Sequence, residues 1–312
     1  MILIVGAGAM AQEYVKVLVA QKQSFNVVGR SEASAEKFKL ATGIQPFVGG
    51  LEQFFLTESL DDYEYAIVTT GVEQLAPTTL ALIEHGIKKI LVEKPAGLDV
   101  QQINMLADYA RTMQADVYVA YNRRFYASLL EAQKIIEQDG GVESFNFEVT
   151  EWGHIIEGIQ KADGVKENWF LANTTHVTDM AFFLGGFPRE INCFVKGGSH
   201  WHSRSYNFAG AGVSDKGALF SYHGHWGAPG RWSVEVLTRA HRLIFRPMEK
   251  LQIQKLGSVA VEFVELDDCL DTQFKPGLYK QVGAFLAENG ESLCHLSQHK
   301  ENANIYARIA GY

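Results

Sequence analysis

The sequence predicts an α/β protein in two parts. Residues 1–121 read as a doubly wound parallel sheet, and residues 122–312 as an α+β part on a largely antiparallel, open sheet. Three observations predict this. The chain has 312 residues, about twice an ordinary domain. Up to residue 121, short apolar runs alternate with amphipathic segments, the pattern of βαβ units. Beyond it the period switches toward strict apolar–polar alternation, as in strands with one solvated face.

Ile2–Val5 is the first strand. Ala11, Tyr14, Val15, Leu18 and Val19 then recur at helical spacing and give one buried face. Phe25–Val28 is the second strand, residues 34–41 a helix and residues 46–48 a weak third strand. Residues 65–70 (YAIVTT) form a strong strand, followed by a helix over 77–85 whose Pro77 suits a first helical turn. Residues 90–93 form another strand ending at Pro95. Asp99 caps a helix carrying Ile103, Leu106, Ala107 and Ala110 on one side, and residues 116–121 (DVYVAY) close the series. A helix over 126–138 follows. Phe145, Phe147 and Val149 then alternate with polar residues, and more strands fall between 191 and 264, interrupted by a helix over 174–184. All five tryptophans (Trp152, Trp169, Trp201, Trp226 and Trp232) lie in this half. Helices over 278–288 and 298–309 finish the chain and can pack back on the first domain.

Composition narrows the function. Apolar residues make up 47% and charged ones 21%, ordinary for a globular chain and unlike a disordered or fibrous one. A net charge of −8 disfavours nucleic acid as a partner. Cys193, Cys269 and Cys294 form no C-x-x-C pair, which points away from a zinc clip or disulfide framework and toward a reducing compartment, the cytosol. No apolar run approaches the roughly 20 residues of a membrane span, and MILIVGAGAM reads as a strand and turn rather than a signal peptide.

Gly6-Ala7-Gly8-Ala9-Met10-Ala11 fits G-x-G-x-x-G/A, directly after a strand and opening an amphipathic helix. Gly6 allows the tight turn, Gly8 lets the backbone approach a pyrophosphate, and Ala11 permits close helix–strand packing. The helix start at Ala9 and Met10 supplies free N–H groups and a positive dipole end. This is the dinucleotide fingerprint of a Rossmann domain. An NAD-selective site usually carries an acidic residue at the end of the second strand. Here Arg30 and Ser31 stand there, suited to a 2′-phosphate. They favour NADP over NAD, although Glu32 leaves a ribose contact open.

Glu93-Lys94-Pro95 sits at the carboxyl end of a parallel strand, the edge where ligands of open α/β sheets bind. A lysine held there can hydrogen-bond a substrate oxygen and help move its proton as hydride transfers. A lone lysine at a strand end is commonly just solvated. The order and separation of three motifs give this one more weight. The glycine turn, Glu93-Lys94-Pro95 and Tyr121-Asn122-Arg123-Arg124-Phe125 together resemble the Gfo/Idh/MocA family of nicotinamide-dependent oxidoreductases, over the whole chain. The resemblance implies that Lys94 is the catalytic lysine and that Glu93 and Asn122 or Arg124 help hold the cofactor. The family's Thr-Pro-Asn turn is matched in part by Thr69-Thr70-Gly71, where Thr70 keeps the hydroxyl.

Many members also carry Asp-x-x-x-His-x-x-Asp at the substrate. This chain reads Ala172-Asn173-Thr174-Thr175-His176-Val177-Thr178-Asp179. His176 and Asp179 match and share a helix face, so Asp179 is expected to orient the imidazole. Ala172 replaces the first aspartate, and Asn173 offers only an amide. Trp169 stands where the family has a glycine-rich run; it, Asn173 and Asp179 are weaker substrate candidates. This favours Lys94 acting with His176 and an unusual substrate.

His200/His202 and His223/His225 have the i, i+2 spacing of one strand face, but no nearby ligand set completes a metal site. The expected activity is hydride transfer between a nicotinamide and a hydroxyl or carbonyl carbon of a sugar, polyol, sugar nucleotide or related compound. The open sheet leaves one face to cover, as a substrate wall, a subunit interface or both, and makes a homodimer or homotetramer the expected assembly. The rival is a non-catalytic NAD(P)-binding regulator on the same fold. A third possibility is an enzyme that recycles a tightly held cofactor.

Overall fold

The computed structural model describes residues 1–288 and 290–312. In chain order the elements are β1 (Ile2–Val5), α1 (Ala9–Ala20), β2 (Phe25–Val28), α2 (Glu32–Thr42), α3 (Gly50–Thr57), β3 (Tyr65–Val68), α4 (Val72–Glu84), β4 (Lys89–Val92), α5 (Val100–Thr112) and β5 (Asp116–Val119). They continue with α6 (Ala127–Gln138), β6 (Ser144–Glu148), α7 (Gly153–Gly158), α8 (Thr175–Gly185), β7 (Pro188–Lys196), β8 (Asn207–Ser214) and β9 (Leu219–His225). Last come β10 (Ser233–Leu237), β11 (His241–Phe245), β12 (Gln252–Lys255), β13 (Glu262–Phe263), α9 (Cys269–Gln273), α10 (Leu278–Leu286), β14 (Cys294–His295) and α11 (Leu296–Ala310).

The chain divides into two compact units. One holds Met1–Tyr121 and Gln273–Glu301, the other Asn122–Thr272 and Asn302–Tyr312. Among the described residues no helix is long and apolar enough to cross a membrane.

The first unit is a six-stranded sheet in the order β14-β5-β4-β3-β1-β2. All neighbours are parallel except β14, which runs antiparallel to β5. Strand order reverses at β1, the place where an open α/β sheet leaves a crevice beyond its carboxyl ends. The central strands are fully apolar because helices cover both faces: β1 is buried throughout, as are Ile67, Val68, Leu91 and Val92. α5 forms as its sequence pattern requires. Asp99 Oδ1 accepts the Gln102 N–H at 2.8 Å, and Ile103, Leu106, Ala107 and Ala110 are the buried face.

Two local expectations fail here, and one helix was not anticipated. The third strand at 46–48 reduces to one bridge, Phe47 to Val28, with Gly29 N–H donating to Phe47 O at 2.7 Å. The next segment is instead helix α3, entered through the left-handed Gly49 and Gly50. α4 begins at Val72, five residues before Pro77, so the proline sits inside the helix at the loss of one backbone bond.

The second unit is an eight-stranded sheet in the order β13-β12-β11-β10-β6-β9-β8-β7, antiparallel except for the parallel pair β6–β9. One face carries the core. Phe145 and Phe147 stack on Phe220 and Tyr222, and Phe182 of α8 meets Phe145, Phe147 and Phe220 edge-on at 5.3–6.1 Å. Each fully buried phenylalanine contributes about 1.5–3 kcal/mol, so this stack fixes α8 on the sheet. The opposite face is open, with Phe194 and Leu219 exposed. His223 and His225 do lie on one strand, β9. His200 and His202 lie in the loop after β7: His200 meets Glu157, and buried His202 bonds Ser205 O and Tyr312 OH.

Candidate functional site

The glycine turn begins where β1 ends. Gly6 has φ +119°, and a Cβ there would lie 2.5 Å from Thr69 Oγ1 and 2.9 Å from the Thr69 backbone. Only glycine fits. Gly8 is the N-cap of α1, and a Cβ there would meet nothing within 4 Å. No side chain caps this helix start, and its first turn holds no acidic residue. The N–H groups at Ala9 and Met10 therefore lie at a positive dipole end with no capping side chain and no acid of their own turn to satisfy them.

A cleft of about 600 Å³ opens here, walled by Gly6, Gly8, Arg30, Ser31, Thr69, Thr70 and Gly71. The two threonines differ. Thr69 Oγ1 donates to Val5 O at 3.2 Å, whereas the buried Thr70 Oγ1 has no hydrogen-bond partner among the described residues. Arg30 is exposed and takes part in none of the ion pairs among the described residues; Ser31 caps α2 by accepting the Ser34 N–H. Ser34, Gly49, Gly50, Glu52 and Glu73 also line the wall and were not anticipated. The Gly49-Gly50 pair was the available signal, since it marks the turn that brings α3 to the cleft.

A nicotinamide dinucleotide fits this donor set. An open position faces Gly8, an uncapped helix start awaits an anion, and one buried hydroxyl is left over. Ala9, Met10, Glu93 and Lys94 lie outside the cleft wall, and Asn122 and Arg124 belong to the second unit.

Lys94 follows β4, within a turn held on both sides. Glu93 N–H donates to Val68 O at 2.9 Å, and Tyr14 OH donates to Glu93 Oε1 at 2.9 Å. Burial pushes the Glu93 carboxyl up from its ordinary value, against the Tyr14 bond and the charges of Lys94 and Lys275. The Lys94–Pro95 peptide is cis. Fully buried His299 donates from Nε2 to Pro95 O at 2.9 Å, with its ring 5.6 Å from that of Tyr121. His299 has no sequence signal, because its partner lies 204 residues away.

In the second unit His176 is the second residue of α8, whose first residue, Thr175, directly follows a π-helical turn at Phe170–Thr174. Such turns concentrate at functional sites. The ring of Trp232 lies 6.4 Å from the His176 ring. Asp179 does not orient this imidazole. Its carboxylate accepts Arg124 Nε at 2.8 Å, Arg124 Nη2 at 2.6 Å and Tyr306 OH at 3.3 Å. Arg124 thus spends two N–H groups on an internal pair, and Asn122 is buried at the start of the same turn, Asn122–Phe125.

Trp169 and Asn173 have a partner the sequence did not reveal. Both donate to Glu151 Oε2, at 2.9 and 2.7 Å, and Thr174 Oγ1 donates to Glu151 Oε1. Glu151 is buried just beyond β6. Burial raises its pKa, while these three bonds and the Arg231 charge pull it down. The helix carries Ala172 where the family pattern has an aspartate, and Glu151 brings a carboxylate to the neighbouring residues from β6. Its only sequence signal is a lone acid directly after an alternating strand.

Residues 1–121 match the Gfo/Idh/MocA family model, described as an oxidoreductase family with an NAD-binding Rossmann fold. No curated protein sequence matches the chain. Solved structures share the fold along nearly its whole length. A protein assigned as an NADPH-dependent oxidoreductase from Desulfitobacterium hafniense superposes with TM-score 0.80 at 15% identity, covering 99% of this chain and 94% of that one. Levoglucosan dehydrogenase, in complex with NADH and L-sorbose, gives 0.77 at 17% identity, covering 99% and 95%. UDP-N-acetylglucosamine 3-dehydrogenase from Acidithiobacillus ferrooxidans gives 0.75 at 12% identity, covering 99% and 96%.

Proposed function

We propose that this chain, whose residues 1–121 match the Gfo/Idh/MocA oxidoreductase family model, is an NADP(H)-preferring dehydrogenase or reductase of a polyhydroxy compound. The observation that carries the cofactor reading is the open position at Gly8 before an uncapped, acid-free helix start. Gly6, Gly8, Thr70 and the α1 N–H groups hold the pyrophosphate side, and Arg30 with Ser31 takes the 2′-phosphate. When bound, the dinucleotide supplies or accepts a hydride at its nicotinamide ring. Lys94 hydrogen-bonds the substrate oxygen and favours its negative charge. His176 gives or takes the proton at that oxygen. Glu151 keeps the π turn before His176 in shape by binding Trp169, Asn173 and Thr174. Two of the structural neighbours are dehydrogenases of sugar compounds by name, which supports a sugar, polyol or sugar nucleotide as substrate.

Calorimetric titration with NADPH and NADH, after removal of any copurified cofactor, tests the reading. Tight NADPH binding is expected. Lys94→Ala is expected to abolish turnover and leave cofactor affinity largely intact. Binding of neither cofactor overturns the reading, and near-normal kcat in the variant removes Lys94 from the chemistry. Binding without consumption over a broad sugar panel moves the weight to a regulator.

A further inference from the structure

Where β6 ends and β10 begins, the second unit gathers two arginines and two tryptophans beside His176. β6 and β10 are antiparallel, with Glu148 paired to Ser233, so the residues after β6 run alongside those before β10. Trp152 Nε1 donates to Gly230 O at 3.0 Å and ties the two extensions together. The Arg231 guanidinium stacks 5.0 Å from the Trp152 ring and 5.2 Å from the Trp232 ring. Arg123, from the turn before α6, places its guanidinium 5.1 Å from the same Trp232 ring. The Trp232 ring is also the one beside the His176 imidazole.

Two cations at one indole repel each other, and no protein carboxylate offsets them by ion pairing. Neither Arg123 nor Arg231 forms a side-chain hydrogen bond or an ion pair among the described residues. Glu151, whose carboxyl feels the Arg231 charge, has its oxygens bonded by Trp169, Asn173 and Thr174 rather than by an arginine. Glu148 is taken by Arg246. Two further donors are left over: Arg123 Nε and the indole N–H of Trp232 are buried without a partner, and Trp232 is only 6% exposed. Guanidinium and indole N–H groups donate and never accept, so the cluster as it stands lacks only acceptors. Trp152, 48% exposed, adds an open aromatic face.

We propose that this cluster is an anion subsite of the substrate site, with Arg231 and Arg123 binding a carboxylate or phosphate group on the polyhydroxy substrate while Trp232 and Trp152 flank it. The inference rests on the proposed function, because it places this subsite next to the proton-exchanging His176. Planar guanidinium groups pre-aligned on aromatic rings suit such a group, since they can bind two of its oxygens at once. The hydroxyls of a neutral sugar can accept from these donors but bring no negative charge to set against the two guanidinium groups.

The test is calorimetry on the NADPH-saturated protein with matched sets of one sugar: a neutral hexose, its hexuronate and its hexose phosphate. The charged members are expected to bind about tenfold tighter or more than the neutral one, the usual scale for a charge-assisted bond, with affinity falling as salt rises. The hexuronate and hexose phosphate arms decide which anion is meant. Arg231→Gln is expected to erase most of the preference and Arg231→Lys to recover part of it, with NADPH affinity unchanged in both. Circular dichroism and thermal unfolding check that the variants fold. Equal binding of neutral and charged members overturns the proposal. So does an Arg231→Gln protein that keeps the preference, or the absence of charged-sugar binding while NADPH binds. Failure of NADPH binding itself strikes the proposed function instead.

Discussion

Arg124 and Asp179 form a two-point ion pair inside the second unit, Nε to Oδ2 at 2.8 Å and Nη2 to Oδ1 at 2.6 Å, with each side chain only 1% exposed. The pair ties the turn after Tyr121 to α8, the helix that carries His176. Tyr306 OH supplies a further bond to the same carboxylate. Removing one partner of a buried pair strands the other charge, at a typical cost of about 3–5 kcal/mol. Asp179→Ala is therefore expected to lower the unfolding free energy by about that much. Arg124→Met with Asp179→Leu is expected to cost much less than the two single changes together. Urea unfolding of the wild type, both singles and the double measures this. A single-variant loss below about 1 kcal/mol refutes a structural role for the pair.

Gly6 and Gly8 separate folding from binding. A methyl at Gly6 collides with Thr69 at 2.5 Å, and the residue sits at φ +119°. Gly6→Ala is expected to cost about 1–3 kcal/mol of stability in addition to cofactor affinity. A methyl at Gly8 meets no protein atom and stands where the pyrophosphate is proposed to approach. Gly8→Ala is expected to leave the thermal midpoint nearly unchanged and weaken NADPH binding about tenfold or more. Unfolding scans with calorimetry on both variants check the pair. Unchanged affinity in Gly8→Ala removes the glycine turn from the cofactor site.

What the sequence revealed is what short-range physics controls. The α5 cap at Asp99 and its face of Ile103, Leu106, Ala107 and Ala110 follow from helical period and one hydrogen bond. The glycine turn follows from one steric requirement beside Thr69. Contacts between distant segments were hidden, because no period or spacing announces them. His299 reaches Pro95 across 204 residues, Arg124 reaches Asp179 across 55, and Glu151 reaches Asn173 across 22. Asp179 looked like a partner for His176 because both share a helix face. The buried guanidinium of Arg124 needs a counter-charge more than an imidazole does. Pro77 suggested a helix start, yet the packing of Leu75 and Ala76 outweighs the single bond the proline removes.

Arg30 is the residue proposed to set cofactor choice. It is exposed in the cleft wall, without an ion pair among the described residues, together with Ser31 and Ser34. A guanidinium on a 2′-phosphate makes charge-assisted bonds that a 2′-hydroxyl does not return. Arg30→Ala is expected to weaken NADPH binding about tenfold to a hundredfold and NADH binding less than about threefold. Equal losses for the two cofactors sink the assignment.

Glu93 gives a pH signature of known sign. Burial raises its folded-state pKa above the ordinary 4.5. Between that value and the raised one, the folded chain holds more protons than the unfolded chain. The stability contribution is then full below about pH 4.5 and falls as pH rises through the window. Glu93→Gln removes the titration and keeps an oxygen to accept from Tyr14 OH. The variant is expected to gain stability relative to wild type as pH is raised from about 4 toward 8, with the difference levelling above the raised pKa. Glu151 titrates in the same sense but is common to both proteins, so it cancels in the difference. Thermal unfolding of the two proteins across that range is the measurement. A difference that moves in favour of wild type with rising pH shows that the Glu93 carboxylate is held ionised by Lys94, Lys275 and Tyr14 more strongly than burial opposes it.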